Sequence, residues 1–233
     1  MNAPSLIAVM GPTASGKTAL AERLADRLDA QLVNADAFQI YRHMNVGTSK
    51  PEAKDRYALL DIRDPNEAFG VGEWVTMALA VLNEAWSSGQ NVVVVGGTGL
   101  YIRALFEEFG EMRGAPDPEL RERIRSRLEA HGLESLFAEL QALDPSAAAK
   151  VDPRNPARVS RALERASVPA EPMSVVLPPF RKCKLAVDPP KQVLDDQMER
   201  RLAKMVQNGW VQEVRRLREM GYSKDVPGFR AIG

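Results

Sequence analysis

The octapeptide Gly11-Pro12-Thr13-Ala14-Ser15-Gly16-Lys17-Thr18 fits the phosphate-loop pattern G-x-x-x-x-G-K-S/T at every fixed position. The residues before it, 6–10, form a short apolar run that is typical of a buried strand. The residues after it, 19–28, carry leucines at positions 20, 24 and 28, which predicts a helix with these leucines on its apolar face. The motif therefore lies in the strand–loop–helix context that its chemistry requires.

A loop of this kind binds a diphosphate or a triphosphate. Its glycines let backbone amides turn inward around an anion, and the following helix adds the positive end of its dipole. Lys17 can reach phosphate oxygens, and the Thr18 hydroxyl can ligate a Mg²⁺ ion that bridges them. On the motif alone, a glycine-rich turn without a ligand stays an open alternative.

The composition is that of a globular protein. Its 233 residues suffice for one sizeable core and a smaller lobe. Lys plus Arg and Asp plus Glu both total 31, so the net charge neither indicates nor excludes a nucleic-acid partner. The lone Cys183 excludes an internal disulfide and suits a reducing compartment. Because there is no signal-peptide pattern and no apolar run near the ~20 residues that cross a bilayer, we expect a cytoplasmic protein without a membrane or disulfide partner.

Predicted strands and helices alternate over the first 105 residues. Residues 31–36 and 92–95 are further strand candidates, and the second is a run of four valines, typical of a strand buried on both faces. Helices are predicted over 72–86 and 100–105. This alternation predicts a parallel sheet with helical crossovers.

The final third of the chain returns to the same pattern. Residues 184–187 can rejoin the sheet as a strand. A long amphipathic helix follows, with Leu194, Met198, Leu202 and Met205 on one side. A second helix, over 210–220, is expected to bury Trp210, Val214 and Leu217.

Residues 117–165 have helical patterns without a strand signal. Three helix starts place a capping side chain before a proline, at Asp117-Pro118, Asp144-Pro145 and Asn155-Pro156. Residues 166–180 contain four prolines and predict a loop or linker. We therefore predict an α/β fold: a P-loop NTPase-like parallel sheet with flanking helices, formed by 1–113 together with 181–233, and an inserted all-helical lobe with its linker over 114–180.

Two positions after predicted strands suit chemistry. Asp36 ends the second strand, and in open α/β sheets the loops after the strands form the ligand crevice, where a lone carboxylate suits a general base. A helix cap or an indirect magnesium contact is the alternative for Asp36. The tetrad Gly96-Gly97-Thr98-Gly99 offers a hydroxyl and backbone amides at a helix start, or it is a plain turn. The strand before the tetrad lacks the acid of NTP hydrolases, which disfavours a motor or switch.

Arginines cluster in the helical region. Arg158, Arg161 and Arg165 recur along one helix face, and residues 121, 123, 125 and 127 of an earlier helix are all arginines. Such faces can bind the phosphates of a nucleic-acid backbone. From spacing alone, a solvated charged surface is the commoner explanation.

Four stretches, taken in order, resemble the tRNA dimethylallyltransferase family, also called tRNA isopentenyltransferases. They are residues 11–18, Asp36-Ala37-Phe38-Gln39 continuing to 51, 96–101 and 158–164, and a weaker match runs to the end of the chain. The resemblance implies transfer of a dimethylallyl group from dimethylallyl diphosphate to N6 of the adenosine 3′-adjacent to the anticodon of tRNA. It implies that the loop holds the donor diphosphate and not ATP.

The resemblance also implies a role for each matching residue. Asp36 would accept a proton from N6, and Thr98 would hydrogen-bond near the reacting centre. Thr18 would ligate a Mg²⁺ ion that accompanies the donor diphosphate. The residues that would bind the diphosphate itself are Gly11, Thr13, Ala14, Ser15, Gly16, Lys17, Thr18 and Arg201. We expect the enzyme to be a monomer. The residues that would contact the anticodon stem-loop of tRNA are Asp36, Ala37, Phe38, Gln39, Thr98, Arg121, Ala157, Arg158, Val159, Ser160, Arg161 and Arg230.

The chain also departs from the family pattern. The usual Asp-Ser-Met-Gln is Asp36-Ala37-Phe38-Gln39, and the usual His-His pair is Tyr57-Ala58. Family members continue well beyond the match at 230–233, so a truncated form is one expectation. Three other functions stay open: an ATP-dependent small-molecule kinase, an adenylate isopentenyltransferase acting on free nucleotides, and an RNA-binding protein without catalysis.

Overall fold

A computed structural model of the chain describes residues 3–106, 118–168 and 179–231. These residues form two compact units, one with residues 3–106 and 179–231 and the other with residues 118–168. The predicted boundary between 113 and 114 lies outside the described residues, as do most of the expected linker and Asp117. Across those three ranges, no helix combines the length and hydrophobicity needed to cross a membrane.

The first unit is built on a five-stranded parallel sheet, which confirms the predicted fold class. Its strands are β1 (Ser5–Met10), β2 (Ala30–Asn34), β3 (Tyr57–Ala58), β4 (Asn91–Gly96) and β5 (Arg181–Ala186). The order in the sheet is β3-β2-β4-β1-β5. Strand β3, which pairs with Leu32 and Val33 of β2, was not predicted. Two residues are too few for a periodic pattern to reveal.

Helices cover both faces of this sheet. They are α1 (Lys17–Leu28), α2 (Val71–Ser87) and α3 (Gly99–Phe106). Because β1 and β4 are apolar at successive positions, both of their faces need cover. Helix α1 packs on one face, where the core contains Ile7, Val9, Ala21, Ala25, Leu32, Tyr57, Val93 and Val95. Helix α2 contacts β2 and β4 and buries Trp74, Ala78 and Leu82 completely.

The apolar face predicted for α1 is wrong. Ala21 and Ala25 are the buried residues of this helix, whereas Leu20 and Leu28 are 37% and 38% exposed. Small side chains at 21 and 25 let the helix axis lie close to the sheet, so the larger leucines are displaced to its flanks. Leu24 alone of the predicted stripe packs against the edge of the core.

Two helices follow the last strand, α7 (Lys191–Gln207) and α8 (Trp210–Glu219). On the predicted apolar side of α7, Met205 is buried but Met198 and Leu202 are 43% and 52% exposed. On α8, Leu217 is buried as predicted, but Val214 is exposed and Glu213 is buried in its place. The reason is a set of hydrogen bonds to Glu213, described below.

The second unit contains α4 (Pro118–Leu143), α5 (Pro145–Ala148) and α6 (Pro156–Ala166). Helix α4 is broken at Gly132, where φ is 76°. The predicted caps of α5 and α6 are confirmed, since Asp144 accepts from the Ala147 amide and Asn155 from the Arg158 amide. The core of this unit consists of Leu120, Ile124, Leu136, Leu140, Ala148, Val159 and Leu163.

Three neighbouring strands, β2, β4 and β1, end at the same edge of the sheet. The register aligns Met10 with Gly96, and Asn34 with Val95. The three loops that follow carry the phosphate loop, Asp36 and the glycine tetrad. Parallel pairing therefore brings together three motifs that are far apart in the sequence.

Candidate active site

The phosphate loop has the backbone of an anion cradle. Ala14 and Gly16 have φ values of 63° and 85°, in the left-handed region. The Ser15 amide donates to the Pro12 carbonyl at 3.2 Å, and α1 begins directly afterwards at Lys17. Left-handed residues beside a helix N-terminus turn successive amides toward one point, where they can bind phosphate oxygens.

Gly11 and Ser15 lie in closely packed surroundings inside this loop. A Cβ at Gly11 would lie 2.5 Å from the Val187 carbonyl oxygen and 2.7 Å from Ser15 Oγ, so only glycine fits. Ser15 is buried, and its Oγ has no hydrogen-bond partner in the described part of the chain. A buried hydroxyl without a partner is costly, and a ligand oxygen in the loop would satisfy it.

Lys17, Asp36 and Arg201 lie close enough for their charges to interact. Burial lowers the pKa of Lys17, the Asp36 carboxylate opposes that shift, and the Arg201 guanidinium adds to it. Burial likewise lowers the pKa of Arg201, and Asp36 opposes the shift. Lys17 Nζ itself donates to the Pro12 carbonyl at 3.1 Å. Two cationic side chains and one carboxylate therefore lie near one another at the phosphate loop.

The two oxygens of the Asp36 carboxylate have different surroundings. Oδ1 accepts from the amides of Phe38 at 2.9 Å and Gln39 at 3.3 Å, which is the capping role considered as an alternative. Within the described part of the chain Oδ2 accepts no hydrogen bond, and it faces Gly97, where a Cβ would lie 3.7 Å away. One oxygen thus fixes the carboxylate, and the other can accept a proton.

The side chain of Asn34 holds the backbone of Asp36 through hydrogen bonds, and Asn34 was not identified as a site residue from the sequence. Its side chain accepts from the Asp36 amide and donates to the Asp36 carbonyl, both at 3.2 Å, and also donates to Leu59 at 3.1 Å. Trp74 Nε1 donates to the Asn34 carbonyl at 2.9 Å. The signal in the sequence is an amide at the end of an otherwise apolar strand.

Thr98 joins the tetrad to the Asp36 loop. Its Oγ1 accepts from the Ala37 amide at 2.9 Å, and its own amide donates to the Ala35 carbonyl at 3.2 Å. Since the hydroxyl accepts from the backbone, its hydrogen remains available for another acceptor. A Cβ at Gly96 would lie 2.1 Å from the Ala35 carbonyl oxygen, so this close approach requires glycine.

The Gln39 side chain is held by the loop over residues 44–50. Its Nε2 donates to the carbonyls of Thr48 at 3.0 Å and Ser49 at 3.1 Å, which leaves Oε1 as an acceptor. In the same loop, the buried Lys50 ammonium donates to Asp61 at 2.5 Å and to the Tyr41 carbonyl. Burial lowers the pKa of Lys50, and Asp61 opposes that shift.

Glu213 anchors this loop from α8, and sequence reasoning missed it too. Its carboxylate accepts from the amides of Asn45 at 2.6 Å, Val46 at 2.7 Å and Gly47 at 2.9 Å. These bonds turn α8 so that residue 213, and not Val214, faces inward. The sequence signal is a glutamate spaced with Trp210 and Leu217 on one helix face.

Arg201 lies on α7 in a basic cleft beside this loop. The cleft has a volume of about 550 Å³. Its cationic lining residues are Lys50, Lys54, Arg200, Arg201 and Lys204. Glu52 also lines the cleft, and Lys50 and Lys54 are paired with Asp61. The lining still has an excess of positive charge, which suits a phosphate-bearing ligand, and the interaction of Arg201 with Lys17 relates the cleft to the phosphate loop.

The residues expected to contact tRNA lie in both units. Arg230 belongs to the first unit, near Tyr41, and Phe38 packs beside Ile40 and Tyr41. Arg121 on α4 and Ala157, Arg158, Ser160 and Arg161 on α6 belong to the second. The side chain of Val159, which was expected in the same set, is completely buried, so only its backbone could contact RNA.

Two family models match this chain. A family model described as IPP transferase matches residues 39–233, and one described as isopentenyl transferase matches residues 4–59. A tRNA dimethylallyltransferase of Chloroflexus aggregans is 39% identical, over 98% of this chain and 80% of the relative. One of Stenotrophomonas maltophilia is 38% identical, over 99% and 78%.

Solved structures give the same result. The full-length tRNA isopentenylpyrophosphate transferase of Bacillus halodurans is 32% identical, with a TM-score of 0.67 over 98% of this chain and 74% of that one. A eukaryotic dimethylallyltransferase solved while acting on tRNA has a TM-score of 0.76 over 93% and 56%. Its 23% identity bears on the fold alone. From its phosphate loop, its sheet and these relatives, the chain belongs to the IPP transferase family of prenyl-transferring enzymes.

Proposed function

We propose that this protein transfers a dimethylallyl group from dimethylallyl diphosphate to N6 of the adenosine 3′-adjacent to the anticodon of tRNA, and releases diphosphate. The observation that carries the proposal is the free Oδ2 of Asp36, held beside a phosphate loop where Lys17 and Arg201 also act. A leaving group with several negative charges and an amine that must lose a proton need this combination of groups.

The donor diphosphate lies in the phosphate loop in this proposal. Its oxygens accept from the loop amides, from Ser15 Oγ, and from Lys17 and Arg201, whose charges offset the charge that builds up as the C–O bond breaks. Thr18, half-buried beside Ser15, would supply a hydroxyl ligand to Mg²⁺, which when bound offsets part of the diphosphate charge. Among the described residues no group of three His, Cys, Asp or Glu could hold a metal ion, so the diphosphate would provide other ligands.

The chemical step joins N6 of the adenine to the allylic carbon. The N6 lone pair forms the new C–N bond while the C–O bond to diphosphate breaks and its electron pair leaves with the diphosphate. The N6 proton passes to Asp36 Oδ2, while Oδ1 stays bonded to the Phe38 and Gln39 amides. The Thr98 hydroxyl donates to the diphosphate or the base, and Gln39 Oε1 accepts from the adenine.

Delivery of the adenine requires the protein also to bind the tRNA at sites distant from the reacting atoms. The base leaves its stack to enter the pocket. The helical unit, with Arg121, Arg158 and Arg161, would bind the anticodon arm, and Arg230 would contact tRNA near Tyr41. In this proposal the enzyme acts as a monomer in the cytoplasm, where tRNA is found.

The decisive assay offers labelled dimethylallyl diphosphate, Mg²⁺ and an anticodon stem-loop RNA to the full chain, with AMP and ATP as rival substrates. We expect label on the stem-loop. Asp36→Asn keeps an oxygen for the Phe38 amide but removes the proton acceptor, so the rate should fall by at least about 100-fold. Donor binding, measured by calorimetry, should change little.

Asp29→Asn is the matched control, since Asp29 is an exposed residue at the end of α1 and should leave the rate unchanged. Phosphate transfer from ATP without prenyl transfer would identify a kinase instead. Label on AMP and none on RNA would identify an enzyme of free nucleotides. Full activity of Asp36→Asn would remove Asp36 from the mechanism.

A further inference from the structure

Glu164 is a buried carboxylate on α6, which carries three arginines in 11 residues. Its side chain is 6% exposed, and it follows Arg158 and Arg161 on α6. Glu164 and Glu213 are the two carboxylate residues recorded as buried within the described ranges. A buried charge is destabilising unless it is paired, so the role of Glu164 can be inferred from the groups that pair with it.

Its two oxygens bind two arginines from two helices. Oε1 lies 3.4 Å from Nε of Arg121 on α4, and Oε2 lies 2.8 Å from an Nη atom of Arg161 on α6. The side chains of Arg121 and Arg161 are 46% and 43% exposed. Each guanidinium thus uses one nitrogen on Glu164, and its remaining N–H groups can be offered to solvent or a ligand.

We propose that Glu164 is a positioning residue for RNA, which holds Arg121 and Arg161 side by side for adjacent phosphate oxygens. The inference rests on the proposed tRNA substrate and adds to it the device that orders the two arginines. Buried Val159, Leu163, Leu120 and Ile124 already fix the two helix backbones. The long arginine side chains would otherwise have to be ordered by the RNA, at a cost in entropy.

A simpler explanation gives the opposite expectation. If Glu164 only neutralised excess positive charge, its removal would strengthen the attraction for every phosphate and tighten RNA binding. If it positions the arginines, its removal weakens binding to the matching RNA even though the surface becomes more positive. The sign of the effect therefore separates the two explanations.

The test is Glu164→Gln in the full chain. Glutamine has the same shape, but an NH2 group replaces one of the two oxygens, and these bind different arginines, so one arginine loses its acceptor. Binding to an anticodon stem-loop and to an oligouridylate of equal length is measured by fluorescence anisotropy over a series of salt concentrations. We expect about tenfold weaker binding to the stem-loop, the effect of losing one hydrogen bond to a charged group, and a salt slope smaller by about one. Binding to oligouridylate should not weaken.

Glu139→Gln is the matched control, because it removes a carboxylate of α4 that is paired with Arg127 and 40% exposed. It should not weaken stem-loop binding. Arg161→Lys keeps the charge but replaces the planar guanidinium, and it should also weaken stem-loop binding. This variant decides the question if Glu164→Gln does not fold, as judged by its thermal unfolding.

Stem-loop binding by Glu164→Gln that is as tight as that of the wild type, or tighter, overturns the inference, as does wild-type affinity in Arg161→Lys. These results leave the proposed substrate intact if the wild type still prefers the stem-loop. A wild-type chain without such a preference contradicts the proposed tRNA substrate, and the role of Glu164 with it.

Discussion

The carboxylate of Glu213 accepts a hydrogen bond from the backbone amide of Gly47 at 2.9 Å, across 166 residues of sequence. The same carboxylate accepts from the amides of Asn45 and Val46, so three consecutive residues are held by one side chain. The loop they belong to holds the Gln39 amide through Thr48 and Ser49. Helix α8 thus fixes the shape of a loop beside Asp36.

We expect Glu213→Gln to destabilise the fold by about 1–3 kcal/mol, because the buried amides lose a charged acceptor. Urea unfolding measures this change. Glu219→Gln, an exposed glutamate at the end of the same helix, should lie within about 0.5 kcal/mol of the wild type. Equal stabilities for the two variants would show that the loop does not depend on this carboxylate.

The lowered pKa of Lys17 predicts a pH dependence of donor binding. Since burial favours the neutral amine, Lys17 in the free protein loses its proton at a lower pH than an ordinary lysine. Only the ammonium attracts a diphosphate, so affinity should fall as the pH rises through that lowered pKa. Calorimetric titration with dimethylallyl diphosphate between neutral pH and pH about 10 would measure the fall.

Lys17→Arg provides the comparison, since a guanidinium stays protonated throughout this range. Titration of the ligand affects both proteins equally, and only the wild type should lose additional affinity at alkaline pH. Curves that run parallel for the two proteins would mean that Lys17 does not titrate there.

The sheet could be predicted from the sequence because its signals are local. Valines 92–95 and the apolar run before the phosphate loop have few alternatives to a buried strand. The two-residue strand β3 has no such pattern, and its place depends on pairing with β2. The inward face of α1 was mispredicted because hydrophobicity alone cannot show that a close approach to the sheet favours alanine over leucine.

The residues of the candidate site likewise fall into those that the sequence predicts and those that it does not. Asp36, Thr98 and the phosphate loop follow strand ends and could be found from that position. Asn34 and Glu213 act through hydrogen bonds to backbone groups, and Glu213 does so to a distant loop. Nothing in the sequence near residue 213 states which amides it will meet.

The Thr98 hydroxyl should be separable from its methyl group. Thr98→Val leaves the Ala37 amide without its acceptor, which should cost about 1 kcal/mol of stability, and it removes the donor beside Asp36. The transfer rate should fall about 10- to 100-fold. Thr98→Ser keeps the hydroxyl and should stay within about threefold of the wild-type rate. A Val variant as active as the Ser variant would rule out a catalytic hydroxyl; unfolding and single-turnover measurements give both quantities.

Three glycines of the tetrad should respond to alanine in three different ways. At Gly96 the new Cβ would lie 2.1 Å from the Ala35 carbonyl oxygen, so the strand end must move and stability should fall by more than about 2 kcal/mol. At Gly97 it would lie 3.7 Å from Asp36 Oδ2, an ordinary contact that leaves stability intact. The methyl group would nevertheless occupy space beside the free oxygen, so the transfer rate should fall while donor affinity is retained. At Gly99 nothing lies within 4 Å, and alanine should change neither quantity. Thermal unfolding and transfer rates of the three variants test this order, which a slow Gly99→Ala or a fully active Gly97→Ala would contradict.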